Sequence, residues 1–100
     1  MSNDDSFAGF APPPFNAEGA LTTLKRSLRD FKLAERGNAY ELRGKRVVEL
    51  AAETGTIHAK LARRLAITPE WDRVAVKSAT DQRKLIDEVR KRLARWETEE

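Results

Sequence analysis

VVELAAETGTIHAKLAR, residues 47–63, doubles back on itself once. Thr54 and Gly55 interrupt two alternating runs, and a two-residue turn there sets Glu53 opposite Thr56. The rest of the ladder follows: Ala52 meets Ile57, Leu50 meets Ala59, and Val48 meets Leu61. Side chains alternate with period two, so these six apolar residues share one face. The other face receives Glu53 with Thr56, Ala51 with His58, Glu49 with Lys60, and Val47 with Ala62. Glu49 and Lys60 form an opposite-charge pair across the strands, while a slip of one residue would set Leu50 against charged neighbours. A continuous helix is the competing reading. It is disfavoured by Val47-Val48, by the glycine and two threonines at its centre, and by less clean helical faces.

Working outward, Tyr40 and Leu42 alternate with Glu41 and Arg43, which predicts another strand. A three-residue loop at Gly44-Lys45-Arg46, or a bulge, keeps Tyr40 and Leu42 on the apolar face by pairing them with Leu50 and Val48. On the other side, Thr68-Pro69 resembles a helix start and predicts one turn through Asp72, with Trp71 as a plug against the open sheet end. Val74 and Val76 suit a short fourth strand at the edge. The expected sheet is a three- or four-stranded antiparallel meander, dry on one side and wet on the other.

Two amphipathic helices flank it. Asn16 is a suitable N-cap, and Leu21, Leu24, Leu28 and Phe31 make one stripe. The first helix is expected to end between Lys32 and Arg36; the alternative makes 31–36 a strand turning at Gly37-Asn38. Ser78 and Asp81 form a capping box for the last helix. Its stripe is Leu85, Ile86, Val89, Leu93 and Trp96, and its outward face carries Arg83, Lys84, Arg90, Lys91 and Arg95. Asp87 with Lys91 and Glu88 with Arg92 are spaced for ion pairs. The expected fold is α+β in two layers, in the order α-β-β-β-(β)-α, with both helices on the dry face.

One hundred residues make one core, expected over residues 16–97, with a disordered tail at 1–15 and a frayed end at 98–100. Three prolines precede Phe15, and the small and acidic residues before them cannot bury a core. There is no cysteine, which removes disulfides, thiolate nucleophiles and cysteine zinc sites. No apolar run approaches the roughly 20 residues of a membrane helix, and the acidic N-terminus lacks the pattern of a secretory signal. A cytoplasmic location is the expectation. The net charge of +3 hides a polarised layout. Six of the 16 acids lie at the ends (Asp4, Asp5, Glu18, Glu97, Glu99, Glu100), leaving 10 between them against all 19 basic residues.

His58 is the single histidine and falls on the wet face, without a second ligand for a metal or a nucleophile to activate. The glycines stand singly, so there is no phosphate-cradling loop. The chain is expected to be neither an enzyme nor a cofactor- or metal-binding protein.

Two readings of function follow. The first is a protein-interaction module, pairing with a protein partner or with itself. Its contact surfaces are Phe7, Phe10 and Phe15 of the tail, a free sheet edge, and Val47, Ala51 and Ala62 on the wet face. The second is nucleic-acid binding through Arg43, Lys45, Arg46, Arg63 and Arg64 near the strand ends. The order helix, three strands, helix over residues 17–96 resembles the double-stranded RNA-binding domain in architecture. That family grips phosphates with a lysine-rich motif at the start of its last helix. Here the helix opens Ser78-Ala79-Thr80-Asp81-Gln82, with Arg83 and Lys84 the nearby cations, so the resemblance supplies no binding residues.

Overall fold

The computed structural model describes residues 15–98. In chain order the elements are α1 (Ala17–Asp30), β1 (Ala34–Arg36), β2 (Ala39–Leu42), β3 (Lys45–Glu53), β4 (Thr56–Ala62), β5 (Trp71–Val76) and α2 (Ala79–Trp96). The fold is α+β. Its antiparallel sheet has five strands in the order β1-β2-β3-β4-β5, so the expected three- or four-strand count is corrected.

The central hairpin has the register that its alternation dictates, from Glu53 with Thr56 to Val48 with Leu61. Val48, Leu50, Ile57, Ala59 and Leu61 are buried. They form one cluster with Leu24 and Leu28 of α1 and Leu85, Val89 and Trp96 of α2. Ala52, expected on the dry face, is exposed near the turn. Trp96 is fully buried and donates its indole N–H to the Ala62 carbonyl at 3.2 Å, satisfying the one polar atom that its ring brings inside.

Between β2 and β3 the loop is Arg43-Gly44, two residues rather than three. Both adopt positive φ (56° and 79°), the signature of a tight turn whose twist matches the flanking strands. Leu42 then pairs with Lys45 and Glu41 with Arg46, but Tyr40 pairs with Val48. Val47 is skipped, and this bulge absorbs the one-residue conflict between turn length and apolar pattern. The bulge also turns Val47 into the core, where it is fully buried, although simple alternation had put it on the wet face. Ala62, likewise expected to be wet, is buried where Trp96 and Arg92 bond its carbonyl.

Helix α1 ends earlier than expected. Lys32 takes a left-handed φ of 67°, its N–H bonds Arg29 O, and the Leu33 N–H bonds Leu28 O at 3.3 Å. Buried Leu28 and Leu33 complete this helix stop. A lysine holds the position that glycine usually marks, so the sequence points to Gly37 instead. Gly37, at φ 62°, in fact turns β1 into β2.

At the other end, residues 68–72 form no helical turn. The Arg63 N–H bonds Glu70 O at 2.9 Å, which extends the pairing of β4 with β5, and Trp71 opens the strand as a half-buried residue packed against the core. Ser78 caps α2 by accepting from the Asp81 N–H, and Asp81 reaches back to the Lys77 N–H. Asp87 pairs with Arg90 rather than Lys91, whereas Glu88 pairs with Arg92 at 2.8 Å.

Candidate functional site

The two edges of the sheet differ. Strand β1 is three residues long; β5 is six and is the outermost strand on its side. The backbone bond between Arg63 and Glu70 fixes which groups of β5 look inward. In an antiparallel ladder hydrogen-bonded pairs alternate with non-bonded ones. With Arg63 and Glu70 bonded, the next bonded pairs are Leu61 with Asp72, Ala59 with Val74, and Ile57 with Val76. The N–H and C=O groups of Trp71, Arg73 and Ala75 therefore point away from the sheet. Among the described residues none of them finds a partner. By contrast the Lys77 N–H, next in this outward series, is taken by Asp81 Oδ2 at 3.0 Å.

Cations line both sides of this edge. On the open face Lys60 pairs with Arg73, and the neighbouring pair is His58 with Ala75. Glu49 stands opposite Lys60 as expected, but its carboxylate lies by Arg46 at 3.7 Å. Lys60 and Arg73 are thus left side by side with no carboxylate within ion-pair distance among the described residues. Like charges placed directly opposite are destabilising unless a counter-charge reaches them. A groove of about 390 Å³ runs here, lined by His58, Ala59, Lys60, Arg73, Val74 and Ala75. His58 is exposed and bonded to Glu53 at 2.7 Å.

The helix side is also basic. Helix α2 packs on β5 while α1 packs on β3 and β4. Arg90 of α2 sits over the Phe31 ring, 5.7 Å from its centre, and marks the flank turned to α1. Lys84, Lys91 and Arg95, spaced by seven and four residues, fall on one stripe of the flank turned away from α1. All three are exposed. Arg95 bonds the Arg63 carbonyl at 3.0 Å, and the two lysines have no carboxylate partner among the described residues.

The strand's own acid is already engaged. Asp72 accepts from Arg63 Nε at 2.8 Å and lies 2.8 Å from Arg92 Nη2. These two guanidiniums, Arg63 foremost, hold its carboxyl below the usual carboxylate range, and Arg63 is raised in turn.

The five strand-end cations come to one end of the sheet: Arg43, Lys45 and Arg46 around the β2–β3 turn, Arg63 and Arg64 just past β4. Arg43 donates to the Glu97 carbonyl at 2.9 Å, Arg46 pairs with Glu49, and Arg63 with Asp72 and Glu70. Arg63 and Arg64 line a depression of about 350 Å³ below the loop that carries exposed Ile67. Phe15 packs half-buried against the core; Phe7 and Phe10 lie outside the described residues. Of Val47, Ala51 and Ala62, the proposed wet-face contacts, Ala51 alone is exposed. Sequence reasoning missed Lys60, Arg73, Lys84 and Lys91 as a group because only the strand order sets them around one edge.

Among the described residues no group of three or more metal-ligating side chains occurs, and no helix is long and apolar enough to cross a membrane. The chain matches no protein-family model, no curated protein and no solved structure.

Proposed function

We propose that this protein is a small, non-enzymatic interaction module that binds an extended segment of a protein partner along β5, adding it to the sheet as a sixth strand. The observation that carries this reading is the row of outward backbone groups of Trp71, Arg73 and Ala75 on a long edge strand that has no further strand beside it among the described residues. Strand addition draws affinity from main-chain bonds of this kind and specificity from the side chains beside them. A nucleic-acid role for Arg43, Lys45, Arg46, Arg63 and Arg64 is the weaker reading, because Arg46 and Arg63 already have carboxylate partners and Arg43 is bonded to a backbone carbonyl.

Proline at an outward position tests the reading. Ala75→Pro removes one outward N–H and leaves the β4–β5 ladder its bonds. Peptides selected from a random displayed library on the wild type should lose binding to Ala75→Pro and keep it on Arg64→Glu at the strand-end cluster. Peptides that bind Ala75→Pro as well as wild type would overturn it.

A further inference from the structure

We infer that the segment received by β5 is acidic, with carboxylates at alternating positions, and that the charges around this edge exclude a second copy of the chain. The inference rests on the strand-addition reading and adds the chemistry of the partner.

A strand laid against β5 would send alternate side chains to the two sides of the sheet. On the open side they would lie beside Arg73, whose cross-strand neighbour is Lys60. On the helix side they would lie beneath the flank of α2 that carries Lys84, Lys91 and Arg95. Both sides carry cations, and the acids of β5 and α2 are already engaged: Asp72 with Arg63 and Arg92, Glu88 with Arg92, Asp87 with Arg90, and Asp81 with the Lys77 N–H. A carboxylate on the open side would lie between Lys60 and Arg73, and one on the helix side would pair with a lysine of α2, neither of them displacing an ion pair seen among the described residues.

Self-pairing meets the opposite situation. A two-fold pairing of β5 with β5 keeps both sheets continuous and puts both α2 helices on the same side. Their outer flanks would then face each other, each presenting Lys84, Lys91 and Arg95. Charges of this kind are a known device against edge-to-edge association. Here they act by sign, so a strand of opposite sign is the one that fits.

The test uses the full chain and short peptides in which threonine alternates with glutamate, glutamine or lysine. Binding is followed by amide NMR shifts, with duplex DNA as a separate arm. The glutamate peptide should shift the β5 amides, bind roughly tenfold or more tighter than the glutamine peptide, and weaken as salt rises, as two or more exposed ion pairs require. Lys84→Glu with Lys91→Glu should reduce that preference while the glutamine peptide binds as before. Equal binding of the glutamate and glutamine peptides, both abolished by Ala75→Pro, would overturn the charge selection and leave strand addition standing. No β5 shift with any peptide would overturn both. DNA binding that survives Ala75→Pro but is lost in the α2 double variant would assign these cations to phosphate and overturn the inference, as would a β5-paired dimer in sedimentation.

Discussion

Arg92 Nη2 of α2 lies 2.8 Å from Asp72 Oδ2 of β5, and this contact ties the last helix to the edge strand. Only 13 % of the Arg92 side chain is exposed. Its remaining donors reach Glu88 at 2.8 Å and the carbonyls of Leu61 and Ala62 at 3.4 and 3.3 Å. One guanidinium therefore satisfies a strand end, an edge acid and its own helix, a task suited to a rigid fork of five donors. Arg92→Ala should lower stability by about 2 kcal/mol, between the values of exposed and buried pairs. Arg92→Lys should restore only part of this. Urea denaturation midpoints would measure both.

The acid limb of stability should carry the mark of Asp72. Its carboxyl is held below the ordinary range by Arg63 and then Arg92. The contribution is thus complete above the unfolded value, near pH 4, and disappears as the pH falls through the lower folded value. The stability difference between wild type and Asp72→Asn should be constant near neutrality and shrink below about pH 4. Denaturation at a series of pH values checks this; a difference that grows toward low pH would contradict it.

Tyr40 is the single tyrosine, so tyrosinate absorbance follows it alone. Burial, and then the hydrogen bond to Glu35 at 3.2 Å, push its phenol up to about 12. Stability linked to Tyr40 is fully present below the unfolded value near 10 and is lost as the pH rises through the folded one. The folded titration midpoint should fall in Glu35→Gln but stay above that of the unfolded chain, because burial is the larger cause. A midpoint at the unfolded value in the folded wild type would refute the burial of this hydroxyl.

Truncations across the sheet should separate its faces. Leu50→Ala and Leu61→Ala should each cost on the order of 2–5 kcal/mol, and Val47→Ala about 2 kcal/mol despite its odd place in the alternation. His58→Ala removes an exposed pair with Glu53 and should cost at most about 1 kcal/mol. Thermal or urea unfolding gives all four values. A His58 loss larger than that of Val47 would invert the assigned faces.

The hairpin of residues 47–63 was legible because alternation on two strands and a glycine turn agree on one register, which local spacing alone can specify. The caps at Asn16 and Ser78 were legible for the same reason, since each is a bond between residues three apart. Where the chain departs from expectation, the decision came from packing. Lys32 takes a left-handed conformation that lysine does not favour, because doing so buries Leu28 and Leu33 together. Val47 is bulged inward because a two-residue turn and the pairing of Tyr40 with Val48 cannot both hold on an unbroken ladder.

The candidate site was decided in the same way. Its residues come from β4, β5 and α2, and although spacing groups the cations of α2, nothing in it places them beside Lys60 and Arg73. By itself the sequence determined the alternation, the helix stripes and the count of charges, all of which are properties of residues close along the chain. Only the tertiary structure decided which strand is outermost and which cations, among the described residues, have no acid within ion-pair distance, since both depend on how distant segments compete for the same neighbours.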